Sequence, residues 1–245
     1  MKRQIENNMG NRQPGSCLVC QLGLITFPDA MELERRLIHL RAEDTIEDTL
    51  LIFEHPPTIT LGKFGNLGNI LIPPGELAQR GIAFYDSDRG GDATYNCPGQ
   101  LVIHPIMNLR FKGARAYVAE LEEMGLSVLR EYGIAAERLT QHPGIWVNGK
   151  QIGAVGLRVS RGVSMHGLSL NVNPDLSSFR VINLCGLPGR SATSIKNELG
   201  HDVSISEVKR RVRNSFSTIF NMDLLSISKD KLRKLCFEPQ PSQTN

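Results

Sequence analysis

Two periodicities alternate along this chain. Short apolar or alternating runs read as strands at Cys17–Leu24, Thr49–Glu54, Thr58–Leu61, Ile82–Asp86 and Leu101–Leu109. The run Thr49–Glu54 stops at His55-Pro56-Pro57, because neither proline can donate to a ladder. Helical spacing appears at Met31, Leu33, Leu37, Ile38 and Leu40, predicting a helix over Asp29–Ala42 with Asp29 as its N-cap. A long helix is expected from Ala114 to Tyr132. Another is expected over Ser206–Phe220, where Val208, Val212, Phe216, Ile219 and Phe220 form one stripe.

Three more strands, Gly144–Val147, Gln151–Ser160 and Met165–Val172, are joined by Asn148-Gly149 and Arg161-Gly162. Asn-Gly between apolar runs is a strong hairpin signal, since both residues tolerate positive φ. A strand-like stretch, Arg180–Leu184, precedes Cys185. Strand-rich blocks interrupted by helices on one side predict an α+β fold, a central mixed sheet flanked by helices. Residues 1–15 and the final EPQPSQTN are polar and expected to be disordered. That leaves one domain over 16–225 and a partly disordered extension over 226–245.

Composition narrows the class. A chain of 245 residues can bury a sizeable core, and a net charge of +3 is too small to argue for nucleic acid but suits an acidic protein partner. The five cysteines are odd in number and scattered, which fits a reducing cytoplasm better than a disulfide framework. Cys17 and Cys20 have metal-ligand spacing without a second pair, so they read as strand thiols and no metal is expected. No signal-peptide core or ~20-residue apolar span occurs, which predicts a cytoplasmic protein away from membranes.

Chemistry-bearing residues gather in four places. In Arg89-Gly90-Gly91-Asp92-Ala93-Thr94-Tyr95-Asn96 the glycines allow close backbone approach to a ligand, and Arg89 offers a fork for a carboxylate or phosphate. A glycine-rich turn with an exposed arginine is the alternative. Ala154-Val155-Gly156 puts small residues on a strand, leaving room for a chain-like ligand or simply packing centrally. Gly167-Leu168-Ser169, after a lone His166, reads the same two ways. Cys185 is followed by Gly186, whose turn is expected to offer an N–H to an oxyanion; an inert buried thiol is the alternative.

Taken in order, EHPPTITLG, RGGDATYNCPGQLVIHPIMNL, GIWVNGKQIGAVGLRV, MHGLSLNVNPDLSSF and INLCG closely resemble the lipoyl(octanoyl) transferases, over roughly residues 17–220. The resemblance implies a fold like the catalytic domains of biotin protein ligases and lipoate ligases. It implies octanoyl transfer from acyl carrier protein to a lysine on lipoyl domains of 2-oxoacid dehydrogenases or the glycine cleavage system, with no cofactor. It also implies that Cys185 carries the acyl thioester, and that Arg89–Asn96, Ala154–Gly156 and Gly167–Ser169 line the acyl pocket.

Two positions depart from the family pattern. The lysine that lowers the cysteine's pKa is replaced by Gln151, with Lys150 one step earlier. A histidine in the TYHGPGQ-like run is replaced by Asn96. Adjacent strand residues face opposite ways, so Lys150 substitutes for the missing lysine only if a bulge re-aims it. Two further readings stay open: a relative with a changed acyl donor or acceptor, and an inert acyl-binding protein.

Overall fold

Period-two alternation of apolar side chains builds the largest layer. The computed structural model describes residues 14–238. Its strands are β1 (Gly15–Leu24), β2 (Asp48–Glu54), β3 (Thr58–Leu61), β4 (Ala83–Asp86), β5 (Ala93–Asn96), β6 (Gln100–Ile106), β7 (Glu137–Leu139), β8 (His142–Val147), β9 (Lys150–Ser160), β10 (Val163–Asn171) and β11 (Met222–Ser226). Eight form a mixed sheet in the order β11-β1-β2-β6-β10-β9-β8-β7, and β4-β3-β5 form a smaller one. The pairings β11–β1–β2 are parallel, and those from β2 through β6 to β7 are antiparallel.

The helices are α1 (Phe27–Ala42), α2 (Pro74–Gln79), α3 (Ala114–Arg130), α4 (Ile195–Leu199), α5 (Ile205–Phe220) and α6 (Lys229–Phe237). They cover both faces of the large sheet, not one. On one face Leu50, Ile52, Leu101 and Ile103 pack with Tyr117, Leu121 and Met124 of α3 and with Val208, Val212 and Phe216 of α5. On the other, Leu51, Phe53, Val102 and Ile106 pack with Ala30, Met31, Leu33 and Leu37 of α1 and with Leu232 and Cys236 of α6. The small sheet has its own core with Phe179, Val181, Ile182 and Leu184.

Local chemistry explains where the elements differ from expectation. Thr26, not Asp29, caps α1: its side chain accepts from Asp29 N, and Asp29 in turn accepts the Thr26 hydroxyl at 2.6 Å. Both hairpin turns hold their residues at positive φ, Asn148-Gly149 at 48° and 74° and Arg161-Gly162 at 53° and 77°. The stretch before Cys185 is not a strand. Leu176–Val181 and Leu184–Gly186 are short 3-10 turns, because Asp175 and the Asn183 carbonyl close local turns there. Within the expected extension over 226–245, the described residues carry α6, with Leu232 and Cys236 buried. The expected disordered ends lie largely outside the described residues, although Gly15 already pairs in β1. Among the described residues, no helix is long and apolar enough to cross a membrane.

Candidate active site

A pocket opens between the small sheet and the α1 face of the large one, and Cys185 stands on its rim. Cys185 has φ 52° and ψ 29°, and Gly186 follows at φ 71°. A non-glycine residue in this left-handed region persists only where its surroundings hold it, and such residues concentrate at functional sites. Here the backbone is held by Asn183, which pairs with Asn69 through both backbone and side chain. Asn69 Nδ2 in turn donates to Asp92 Oδ2 at 2.8 Å. The Gly186 N–H is not available to an oxyanion as expected, since it donates to the Asn183 carbonyl at 3.0 Å.

The thiol meets the Gln151 amide. Gln151 Nε2 donates to Cys185 Sγ at 3.3 Å, and the thiol faces Gln151 Oε1 at 3.6 Å. A bulge produces this contact. Ile145 pairs with Gly153 and Trp146 with Gln151, so Ile152 is an extra residue in β9. Without it, alternation from Ala154 would turn Lys150 to the pocket side and Gln151 away. With it, Ile152 points into the opposite core and Gln151 faces Cys185. Lys150 stays exposed, and Gln151 is buried. The Gln151 backbone is clamped by Ser191 and Thr193, and Asn171 Nδ2 donates to its carbonyl. The bulge at Ile152 therefore presents the glutamine to the thiol and leaves Lys150 outside the site.

Arg89 is not the exposed arginine of a glycine-rich turn, and its fork is taken up by the protein's own oxygens rather than left free for an anion. It is buried, and its guanidinium donates to Thr60 Oγ1, to the Thr60 carbonyl at 2.7 Å, to the Asp92 carbonyl at 2.6 Å and to the Gly90 carbonyl at 3.1 Å. Those bonds fold the glycine loop over β9, where Gly156 leaves room for the Arg89 side chain: a Cβ there would lie 3.0 Å from Arg89 Cδ. Arg89, Gly91, Asp92, Thr94 and Asn96 line the pocket, as do Ala154, Val155, Gly156, Gly167, Leu168 and Ser169. Gly90, Ala93 and Tyr95 do not. The Gly90 N–H donates to the Leu157 carbonyl, and alternation along β5 turns Ala93 and Tyr95 into the small sheet's core.

Sequence reading missed the pocket's far wall, formed by Phe27, His55, Val102, His104 and His166. Glu34 of α1 stands behind it, fully buried. Its Oε1 accepts from His104 Nδ1 at 2.5 Å, and its Oε2 accepts from the His166 N–H at 3.2 Å. His166 has φ 63°, which turns its ring to the α1 side, where Nε2 meets Asp88 Oδ1 at 2.8 Å. Simple alternation would have sent that ring toward Leu168 and Leu170, in the opposite core. The Val102–His104 period on β6 was the readable signal for this wall.

Burial sets the titrations. It pushes the Cys185 thiol up; the Gln151 hydrogen bond and the Arg89 charge oppose that rise, and Asp92 reinforces it. Burial also lowers His55 and His166 to about 4, and lowers Arg89 to about 10, still cationic at neutral pH. Glu34 lies below its ordinary value: burial works against ionisation, but the charges and hydrogen bonds of His104 and His166 outweigh it. The Cys17 and Cys20 thiols are raised to about 12 and about 11, chiefly by burial, as befits core residues. Glu34, His104 and His166 also form a compact group of potential metal donors, but Glu34 and His104 are already spent on each other.

Comparison with known proteins gives the family and the fold. The family of the lipoyl protein ligase A/B catalytic domain matches residues 27–217. An octanoyltransferase of Chloroflexus aggregans is 46% identical over 209 residues, which cover 83% of this chain and 95% of that protein. The fold resembles lipoate-protein ligase A bound with ATP, with a TM-score of 0.72 at 16% identity, covering 92% of this chain and 94% of the other. It also resembles biotin protein ligase from Leishmania major in complex with biotin, with a TM-score of 0.51 at 12% identity, covering 83% and 73%. The chain belongs to the lipoyl protein ligase A/B catalytic-domain family, as an acyltransferase of its octanoyltransferase branch.

Proposed function

We propose that this protein transfers an octanoyl group from acyl carrier protein to a lysine of a lipoyl domain through a thioester on Cys185. The observation that carries the reading is the Gln151–Cys185 contact at the rim of a pocket floored by Ala154, Gly156, Gly167 and Ser169. Small residues there leave space for an extended acyl chain against the sheet.

The chemistry needs no nucleotide, because the acyl group arrives as a thioester. The Cys185 thiolate adds to the carbonyl carbon, the donor's C–S bond breaks, and the carrier thiol leaves with a proton. The two thioesters are nearly isoenergetic. A lysine amine then adds to acyl-Cys185, a C–N bond forms, and the C–S bond to Sγ breaks. The ammonium proton returns to Sγ, restoring the thiol. Gln151 Nε2 supports both steps as a hydrogen-bond donor to the thiolate or the acyl oxygen, although an amide cannot carry a proton between them.

Intact mass after incubation with octanoyl-acyl carrier protein tests this reading. An adduct is expected on the wild type and not on Cys185→Ala, discharged when a lipoyl domain is added. An adduct that persists in Cys185→Ala overturns the assignment.

A further inference from the structure

The Arg89 guanidinium is a buried cation that makes no direct contact with a carboxylate among the described residues, although the Asp92 charge acts on it. All its hydrogen bonds go to neutral oxygens, those of Thr60, Gly90 and Asp92, and among the described residues it forms no ion pair with a carboxylate. Burying a cation without an ion pair is costly, so a fold that keeps one gains something elsewhere. Arg89 and Cys185 line the same pocket. Asp92 connects them: its carbonyl accepts from Arg89 Nη2 at 2.6 Å, and its Oδ2 would lie 2.6 Å from a Cβ on Gly186. Position 151, where the family pattern expects a cation, carries a neutral amide.

We propose that Arg89 supplies the positive charge that position 151 lacks, holding the negative charge on Cys185 Sγ and on the acyl oxygen during transfer. This rests on Cys185 being the nucleophile. Arg89 acts through its field, with Thr60 and the loop carbonyls fixing the guanidinium beside the pocket. The charged groups facing Cys185 are Arg89 and Asp92. Asp92 works against the thiolate, but its carboxylate is occupied by Asn66 N, Ala93 N and Asn69 Nδ2. Low dielectric strengthens the attraction, since water does not screen a buried guanidinium as it screens a surface one.

The test is the pH dependence of iodoacetamide alkylation at Cys185, followed by peptide mass spectrometry in the full chain. It reads the thiol without requiring acyl transfer. Arg89→Gln is expected to raise the half-plateau pH by about one unit, a tenfold loss of thiolate at neutral pH. Arg89→Lys, which keeps the charge and loses the fork, is expected to stay within about threefold of wild type. Adding Gln151→Lys to Arg89→Gln is expected to restore the wild-type titration, because it returns a cation to the thiol from the other side. An unchanged titration in folded Arg89→Gln overturns the proposal. So does an Arg89→Lys titration displaced as far as that of Arg89→Gln; if Arg89→Gln fails to fold, an Arg89→Lys titration raised by a full unit overturns it. Thiol titration that responds while no acyl adduct forms would sink the transferase reading alone.

Discussion

Gln151 and Cys185 hold each other through both ends of one amide: Nε2 donates to Sγ at 3.3 Å, and Oε1 faces the thiol at 3.6 Å. An amide that accepts from the thiol favours its neutral form, and one that donates favours the thiolate. The pair therefore orients Cys185, and on balance it opposes the rise that burial imposes on the thiol. Replacing the amide with an ammonium removes that ambivalence. Gln151→Lys is expected to lower the pH of half-maximal Cys185 alkylation by about one unit and to raise the transfer rate up to tenfold near neutral pH. Lys150→Ala, on an exposed side chain, is expected to change neither. A loss of activity in Lys150→Ala would show that the bulge in β9 shifts during turnover.

Gly186 is fixed by two independent constraints. Its φ is 71°, and an added Cβ would sit 2.6 Å from Asp92 Oδ2. Gly186→Ala must therefore both strain the backbone and push away a carboxylate held by Asn66, Ala93 and Asn69. A stability loss of about 1–3 kcal/mol is expected by urea denaturation. Acylation should slow by at least tenfold, since Cys185 moves with its neighbour. Gly200 offers the control, with φ 79° and nothing within 4 Å of an added Cβ. Gly200→Ala carries only the backbone strain, so it should cost less stability and leave acylation alone.

How much of this was legible from the sequence differs by element. The β8–β9–β10 meander was readable because Asn148-Gly149 and Arg161-Gly162 require positive φ, a local property. The lining by Ala154–Gly156 and Gly167–Ser169 was expected from the family resemblance, and period two explains why Ala154, Gly156, Gly167 and Ser169 share one face. The bulge at Ile152 was not readable, because it is set by pairing with β8 on one edge and with residues 191–193 on the other. His166 escaped for a similar reason: its left-handed φ is imposed by Glu34 and Asp88, far away in sequence. Glu34 itself sits in the charged run ELERR, where nothing local separates a fully buried carboxylate from its solvated neighbours.

His55 makes acid sensitivity predictable. Its Nδ1 meets the Ile25 carbonyl at 2.6 Å, and burial lowers its pKa from 6.5 to about 4. Between those values the unfolded chain binds a proton that the native state refuses, so stability falls as pH drops from 6.5 toward 4 and levels off below. The loss from this one group is roughly 3 kcal/mol at most. His166, lowered to about 4 as well, adds a similar loss in the same window, and Glu34, with its lowered pKa, adds a further one only at more acidic pH, as it is protonated. Urea midpoints at pH 7 and pH 5 should differ in wild type and differ less in His55→Gln. Equal midpoints in wild type would contradict the assignment of a neutral, buried His55.

The far wall of the pocket should set acyl chain length. Cys185, the Ala154–Ser169 and Gly156–Gly167 pairs of β9 and β10, and His104, His166, His55 and Phe27 all line the same cavity. These rings are fixed: Phe53 packs edge-on against His104 at 5.1 Å and against His55 at 5.0 Å, and Glu34 holds His104 from behind. Shortening His104 opens the end of the cavity, and each extra buried CH₂ gains about 0.8 kcal/mol. His104→Ala should therefore favour a decanoyl over an octanoyl donor by roughly tenfold relative to wild type, the effect of two such groups. It also leaves Glu34 without its side-chain partner, with only the His166 N–H remaining, a loss of up to about 3–5 kcal/mol for a buried charge. His104→Asn avoids this by keeping a donor for Glu34 while shortening the ring. Transfer rates across hexanoyl, octanoyl, decanoyl and dodecanoyl donors decide the matter. A preference that stays at the wild-type length in folded His104→Asn would mean that the acyl chain ends before this wall.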